Sequence, residues 1–334
     1  MSVTFSGGIT FTGGGFSFSE APPAQGTAGW FGGGYSPATR STVQRITFAT
    51  DTATASVRGP LTAGKYGGAA SGNFTYGWFA TGINYDLSPT GRVTTVDRIT
   101  YATDTTTASS RGPMVYAVSG VAGVGDVTAG WFSGGFYAST PASFNYSTFT
   151  QRITYATDTA TASTRGSLSV GIRETTAVTD GNTYGSTYCW IVGGTTGDNS
   201  SLIQRITYAT DTATASVRGP LSVVQAFLGS VFNTTYGWAA GGYNGVPALT
   251  STVQRITYAT DTATASVRGP IYITSFGSGT GDANYGWVGG GRGTGGTFLA
   301  TVQRITYATD TATATARGSL SESVSRQQST SGIQ

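Results

Sequence analysis

Hydrophobic and polar residues alternate with a period of two along most of the chain, which is the spacing of β-strands. In the segment Arg205–Tyr208, Ile206 and Tyr208 share one face, and the two polar side chains share the other. The following Thr210–Thr212 carries a turn signal, because Asp and Thr side chains can bond nearby backbone N–H groups. Ala213–Val217 then alternates small and hydroxylated residues, which predicts an outer strand.

This pattern belongs to a repeated unit. One phrase occurs six times, at Gln44–Pro60, Asp97–Pro113, Gln151–Ser167, Gln204–Pro220, Gln254–Pro270 and Gln303–Ser319. A second phrase, Trp followed by a glycine-rich step, alternates with it and contains every Trp: Trp30, Trp78, Trp131, Trp190, Trp238 and Trp287. It predicts another strand, and a small-residue segment such as Lys65–Ser71 precedes it. Four strands in each unit of about 50 residues predict an all-β fold, a six-bladed β-propeller with four-stranded blades.

The units resemble the kelch repeat family. The family's double glycine is matched by Gly193–Gly194 and Gly241–Gly242, and its strand Tyr is matched by Tyr208, Tyr258 and Tyr307, with Phe48 in the first unit. The Trp that kelch repeats carry after the turn is replaced here by small residues, as in Thr212–Thr214. The resemblance covers residues 27–320 and implies a kelch-like propeller with a thinner outer edge, of a kind that often binds protein partners.

Two organisational predictions concern the chain ends. Residues 27–334 form the propeller, and residues 1–26 form a Gly/Ser/Phe-rich β-arm and linker. We expect this arm to dock on another subunit, and the alternative is a strand folded back on its own propeller. Leu320–Gly332 is expected to supply the innermost strand that the first unit lacks and so close the ring. The alternative is closure by residues 3–18.

Composition narrows the chemistry. The chain has no His, one Cys and one Lys, which excludes a Ser-His-Asp triad, a His-ligated metal and an internal disulfide. We therefore expect no enzymatic activity, no metal and no cofactor. The net charge of +3 is dispersed, so no nucleic-acid partner is expected. No apolar run is long enough for membrane insertion, and the first residues lack the features of a secretory signal.

The repeated charged and aromatic residues are expected to be structural. Each phrase carries an Arg on its first strand: Arg45, Arg98, Arg152, Arg205, Arg255 and Arg304. A second Arg and a turn Asp follow in every copy, and we expect Arg–Asp pairs to hold turns and neighbouring blades together. The alternative is an Arg ring that binds phosphate or a sulfated glycan. The six Trp are expected to pack between blades, and the alternative is a sugar-stacking platform.

Recognition is expected in the loops that follow the double glycines. These loops vary in length and content, whereas the Ala-Thr-Asp-Thr-Ala turn is nearly uniform. We therefore predict that the face with the uniform turns is a scaffold and that the face with the variable loops is a binding surface. Aromatic loop residues offer rigid contact area, and the candidate ligand-binding residues are Tyr85, Tyr137, Phe144, Tyr146 and Tyr243. Neutral variation of exposed loops is the alternative explanation.

The whole sequence is similar to propeller repeat proteins of bacteriophage particles, being rich in Gly, Ser and Thr and free of His. This resemblance implies a non-enzymatic structural or attachment protein of the virion, in a tail fibre or capsid appendage. It implies a multimeric assembly with other virion subunits through the N-terminal arm, and a host cell-surface polysaccharide as ligand.

Two alternatives come from other classes of protein. The first is a kelch-type adaptor of the bacterial cytoplasm or a lectin of the bacterial surface. The second is a glycan-degrading enzyme that uses two carboxylates from outside the repeated phrase, drawn from Asp86, Asp126, Glu174, Asp180, Asp198 and Asp282.

Overall fold

The computed structural model describes residues 9–12, 15–18, 26–88, 90–140, 143–181, 185–245, 248–272 and 274–331. Within these ranges the strands form six four-stranded antiparallel sheets and two separate hairpins. Helical structure in the described part consists of single 3-10 turns at Phe48–Thr50, Tyr101–Thr103, Tyr155–Thr157, Tyr208–Thr210, Tyr258–Thr260, Thr294–Gly296 and Tyr307–Thr309. None of these described helices has the length or apolar character needed to cross a membrane.

Each four-stranded sheet is one blade of a propeller. From the innermost to the outermost strand, blade 1 consists of β28 (Gln328–Ser331), β3 (Ala28–Gly32), β4 (Val43–Thr47) and β5 (Ser56–Arg58), and blade 2 of β6 (Ala69–Gly72), β7 (Tyr76–Ala80), β8 (Val96–Thr100) and β9 (Ser109–Arg111). In the same order, blade 3 consists of β10 (Ala122–Gly125), β11 (Ala129–Ser133), β14 (Thr150–Thr154) and β15 (Ser163–Thr164), and blade 4 of β16 (Thr176–Thr179), β17 (Tyr188–Val192), β18 (Ile203–Thr207) and β19 (Ser216–Val217). Blade 5 consists of β20 (Gly229–Phe232), β21 (Tyr236–Ala240), β22 (Val253–Thr257) and β23 (Ser266–Arg268), and blade 6 of β24 (Ser278–Gly281), β25 (Tyr285–Gly289), β26 (Val302–Thr306) and β27 (Thr315–Ala316). The two hairpins are β1 (Ile9–Thr12) with β2 (Gly15–Phe18), and β12 (Phe136–Thr140) with β13 (Ser143–Tyr146).

The C-terminal strand closes the ring. β28 pairs antiparallel with β3, from Gln328 opposite Gly32 to Ser331 opposite Gly29. The innermost strands of neighbouring blades contact one another around the whole circle, with β28 between β24 and β6. The predicted six-bladed propeller and its closure by the C-terminal segment are therefore confirmed. The alternative closure by residues 3–18 is wrong, because blade 1 takes its innermost strand from the other end of the chain.

The outer strands are shorter than the alternation predicts. β18 ends at Thr207, and Tyr208 begins a 3-10 turn instead of continuing the strand. The outer strand that follows covers only Ser216–Val217. The preceding Thr210–Thr212 region is drawn toward the neighbouring blade, where the backbone carbonyl of Asp211 accepts from Gly166 N–H at 2.8 Å. Bonds between blades therefore replace part of the ladder that the local pattern predicts.

The hydrophobic core lies between blades. All six Trp side chains are buried, and each indole stacks on the aromatic ring that begins the 3-10 turn of the next blade. The stacked pairs have ring centroids 3.8–4.2 Å apart and are Trp30–Tyr101, Trp78–Tyr155, Trp131–Tyr208, Trp190–Tyr258, Trp238–Tyr307 and Trp287–Phe48. Each buried ring contributes roughly 1.5–3 kcal/mol, so these stacks bind adjacent blades strongly.

The double glycines turn the chain from the second strand of a blade into its loop. Gly241 and Gly242 have φ of +69° and +93°, a region that L-residues rarely occupy. A Cβ on Gly242 would lie 2.2 Å from the carbonyl oxygen of Ala226 in the connection from blade 4. Glycine is required here by both the backbone conformation and the close approach of the neighbouring chain.

Candidate functional site

Strand order divides the propeller into two faces. The Asp-containing turns between the third and fourth strands lie at one end, together with the loops between the first and second strands, and we call this the turn face. The loops that follow the double glycines and the connections between blades lie at the other end, which we call the loop face. Candidate sites can therefore be compared face by face.

An identical cluster joins every pair of neighbouring blades, and we call it the Asp junction. In the junction between blades 4 and 5, Trp190 Nε1 donates to Asp261 Oδ2 at 2.8 Å and Arg205 donates to the same oxygen at 3.0 Å. Arg218 Nε lies 3.5 Å from that oxygen. Trp190 and Arg205 are cross-strand partners in one blade, and Asp261 belongs to the next.

The Asp junction recurs without exception around the ring. In every copy the indole donates at 2.8–2.9 Å, the first Arg at 2.9–3.0 Å, and the second Arg Nε lies at 3.3–3.5 Å. The other five junctions are Trp30, Arg45 and Arg58 with Asp104; Trp78, Arg98 and Arg111 with Asp158; Trp131, Arg152 and Arg165 with Asp211; Trp238, Arg255 and Arg268 with Asp310; and Trp287, Arg304 and Arg317 with Asp51. Twelve guanidinium groups are thus paired with six buried carboxylates between blades.

A tyrosine covers the junction Arg in four blades. Tyr76, Tyr188, Tyr236 and Tyr285 each lie under a guanidinium whose carbon is 4.1–4.3 Å from the ring centroid. Blades 1 and 3 have Ala28 and Ala129 at this position. There the exposed fractions of Arg45 and Arg152 rise to 28% and 27%, against 18–21% in the other blades. The Asp junctions are otherwise alike in their partners and distances.

The loop face carries the aromatic residues proposed as ligand contacts, in unequal environments. Tyr85 is the most open of them, with 66% of its surface exposed. Tyr137 packs against Phe149 at 5.1 Å between ring centroids, and Tyr146 is half-buried. Tyr243 makes an edge contact with Phe227 at 5.5 Å. The side chain of Phe144 lies outside the described residues.

A closed belt of backbone hydrogen bonds surrounds the central axis on the loop face. One residue from each blade connection contributes, and we call the set the mouth ring: Gly67, Gly120, Glu174, Phe227, Phe276 and Arg326. Each residue donates its N–H to the carbonyl oxygen of its counterpart in the preceding blade, at 2.6–3.0 Å. All six have φ between +52° and +66°, so the bonding pattern is the same whether the residue is glycine or not. Below the belt, the innermost strands enclose a channel of about 160 Å³.

The side chains of the mouth ring break its symmetry. Arg326 and Glu174 lie three blades apart, on opposite sides of the axis, and form a salt bridge of 3.0 Å across the mouth. On one side of this bridge Phe227 and Phe276 pack together, with ring centroids 4.4 Å apart, and Arg326 lies 4.1 Å over Phe276. On the other side the ring has only two glycines.

The mouth ring is a site that reasoning from the sequence missed. A non-glycine residue in the left-handed conformation costs about 1–2 kcal/mol, so four such residues in equivalent positions mark a location where side chains are kept despite strain. The signal available in the sequence was a single repeat position occupied by Gly, Gly, Glu, Phe, Phe and Arg. From the sequence alone, Glu174 is only one of several carboxylates outside the repeated phrase.

The other carboxylates considered for an enzyme are dispersed. Asp126, Asp180 and Asp282 lie in turn-face loops, where each accepts hydrogen bonds from backbone N–H groups of its own loop at 2.6–2.9 Å. Asp86 and Asp198 belong to separate loops of the loop face, and Glu174 is held by Arg326. The chain matches no protein-family model, and a search of curated proteins likewise found no match.

Proposed function

We propose that this protein is a non-enzymatic interaction module of a virus particle that attaches the particle to polysaccharide on the host cell surface through its loop face. The observation that carries the proposal is the contrast between the two faces. The Asp junctions repeat from blade to blade and use their charged groups internally. The loops and the mouth ring differ from blade to blade and present Tyr85 and other aromatic side chains. A binding surface needs such variety, whereas a scaffold does not.

The virion setting is supported by resemblance. The near-identical repeats, the kelch-like double glycines and the absence of His are similar to propellers of bacteriophage particles. We propose that residues 1–26, which include the hairpin β1–β2, join the propeller to other subunits. Deleting residues 1–20 should leave the propeller folded and abolish incorporation into the assembly. Normal incorporation of the shortened chain would contradict this role.

Co-sedimentation tests the attachment function. Purified protein is mixed with bacterial cells or extracted surface polysaccharide, and released sugars are measured in the same samples. We expect binding without sugar release. Y85A should weaken binding without loss of stability, since this side chain is mostly exposed. V57S, on an outer strand with 59% exposure, is the matched control away from the loop face. Sugar release would contradict the non-enzymatic role. The absence of binding would contradict the attachment function and favour a purely structural role on the particle.

A further inference from the structure

Half of the mouth ring is open. A Cβ placed on Gly67 would find no described atom nearer than 3.8 Å, where it meets Arg326 Nη1 and the backbone N of Gly120. In the opposite half, Phe227 and Phe276 fill the equivalent positions. We call the space above Gly67 the open half. Above Gly120, a Cβ would lie 3.0 Å from the carboxyl carbon of Glu174, so the Glu174 carboxylate borders this space. The open half exists because Gly67 has no side chain, since the same backbone carries large side chains elsewhere in the ring.

Three guanidinium groups belong to the mouth ring or to loop segments connected to its glycines. Arg92 bridges to Ile83, which in turn bridges to Tyr66, the residue before Gly67. Phe136 pairs with Ser119, the residue before Gly120, and two guanidinium carbons lie over its ring, that of Arg92 at 4.9 Å and that of Arg173 at 4.3 Å. The third guanidinium, that of Arg326, lies beside the open half and forms the salt bridge with Glu174. Among the described residues named here, three cations therefore lie in the neighbourhood of the Glu174 carboxylate. Arg92 and Arg173 also affect each other electrostatically: burial lowers the pKa of Arg92, and the positive charge of Arg173 lowers it further.

A buried amide lies below the same half. Gln328 is 1% exposed and lines the channel, and neither its Oε1 nor its Nε2 has a hydrogen-bond partner among the described residues. A Cβ on Gly68 would lie 2.3 Å from this Nε2, which places the amide against the chain next to Gly67. Buried side-chain amides are nearly always hydrogen-bonded, so this group is suited to a polar ligand that enters the mouth.

We propose that the open half binds an acidic sugar residue, with its carboxylate held by Arg92, Arg173 and Arg326 and a hydroxyl directed toward Gln328. The proposal specifies the ligand class for the loop face and rests on the proposed function. Planar guanidinium groups suit carboxylate oxygens, and the Glu174–Arg326 pair shows that a carboxylate fits this ring. Tyr66 is the residue before Gly67; burial raises the pKa of its phenol, and the charges of Arg326 and Arg92 oppose this shift.

Titration calorimetry with the intact protein tests the proposal. The probes are tetragalacturonate, its fully methyl-esterified form, which has the same backbone without charge, and an oligomannuronate as a second acid. We expect an acidic oligomer to bind about tenfold or more tightly than the ester, and we expect added salt to weaken this binding.

Two variants locate the site and one controls for charge. G67F reproduces in the open half what Phe227 and Phe276 do opposite, so the ring backbone should accept it while the sugar is excluded. R173Q removes a cation that has no carboxylate within 4.0 Å among the described residues. Each should weaken binding about tenfold. R292Q removes a loop-face cation that instead lies over Phe298, 4.8 Å from its centroid, and should leave binding unchanged.

The outcomes separate this inference from the proposed function. Equal binding of the acid and its ester, unchanged binding by folded G67F and R173Q, or no binding of either acidic oligomer would overturn the acidic-sugar site. If wild-type protein then still co-sediments with cells and Y85A does not, the attachment function stands without this site. If neither assay shows binding, both proposals fail.

Discussion

Trp287 Nε1 donates a hydrogen bond of 2.8 Å to Asp51 Oδ2, although 236 positions separate the two residues in the chain. This contact belongs to the Asp junction between the last blade and the first. Its geometry is indistinguishable from that of the five internal junctions, where the indole also donates at 2.8–2.9 Å. The ring therefore closes between blade 6 and blade 1 with the same junction geometry as between the other blades. Closure has two components, this junction and the pairing of β28 with β3.

The first prediction concerns that junction. D51N keeps the shape of the side chain but leaves the guanidinium groups of Arg304 and Arg317 without their carboxylate. We expect a loss of about 2–4 kcal/mol in the free energy of unfolding, measured by urea denaturation. D86N, at an exposed loop position, should change it by about 0.5 kcal/mol or less. Equal stability of D51N and wild type would show that the junction does not hold the blades.

The second prediction concerns the close approach of blades at the Arg-Gly step. A Cβ on Gly166 would lie 1.9 Å from the carbonyl oxygen of Ala213 in the next blade. G166A should therefore lower the free energy of unfolding by about 1–3 kcal/mol through overpacking. Gly245 has no described atom within 4 Å of its Cβ position, so G245A serves as the control and should be nearly neutral in the same denaturation experiment.

The third prediction uses the blades that lack the tyrosine over the junction Arg. A129Y places a ring beneath Arg152, as Tyr188 does beneath Arg205 in the next blade. We expect A129Y to raise stability by about 0.5–1 kcal/mol and Y188A to lower it by at least as much. Thermal unfolding midpoints of the two variants should shift in opposite directions. A destabilised A129Y would mean that blade 3 is shaped to exclude the ring.

The fourth prediction concerns the only lysine. Lys65 is 1% exposed, its Nζ lies 2.9 Å from Asp97 Oδ2, and burial lowers its pKa. Blade 5 has a pair of amides instead, with Gln254 Nε2 donating to Gln225 Oε1. K65Q alone leaves the buried carboxylate of Asp97 without its cation and should lower the free energy of unfolding by about 3–5 kcal/mol. K65Q/D97Q rebuilds the amide pair, so the double variant should recover most of the loss; additive losses would contradict the coupling.

The fifth prediction concerns alkaline pH. Burial raises the pKa of Cys189 from 9.0 to about 12, and it raises the pKa of Tyr155, Tyr208 and Tyr258 well above 10.0. The unfolded chain therefore loses protons that the folded chain keeps, and stability falls as pH rises above 9. Unfolding free energies measured from pH 7 to pH 11 should be level at first and then decline.

Replacing one phenol isolates its part of this decline. Phe48 already takes the place of the tyrosine against Trp287, so Y258F should fold normally. It loses the hydrogen bond of 2.9 Å from Tyr258 to the carbonyl of Thr179, which costs about 1 kcal/mol at neutral pH. Its stability should then decline less steeply than wild type above pH 10. A parallel decline would show that this phenol does not contribute.

The sequence by itself determined the repeating unit. Alternation with a period of two, turn chemistry around each Asp and six copies of both phrases specify four strands per blade and six blades. These features depend on local backbone preference and on side chains one or two positions apart, which a single repeat already contains. Even closure followed from counting strands, because the first unit lacked an innermost strand and the C-terminal segment had no blade of its own.

Only the tertiary structure decided which residues meet across blades. Cross-strand register places Trp190 beside Arg205 within one blade, but Asp261 reaches them only because the ring curves the next blade against the first. The mouth ring has the same origin: Glu174 and Arg326 are on opposite blades and meet because six connections converge on one axis. Such contacts depend on the radius and closure of the whole ring, which no local pattern encodes.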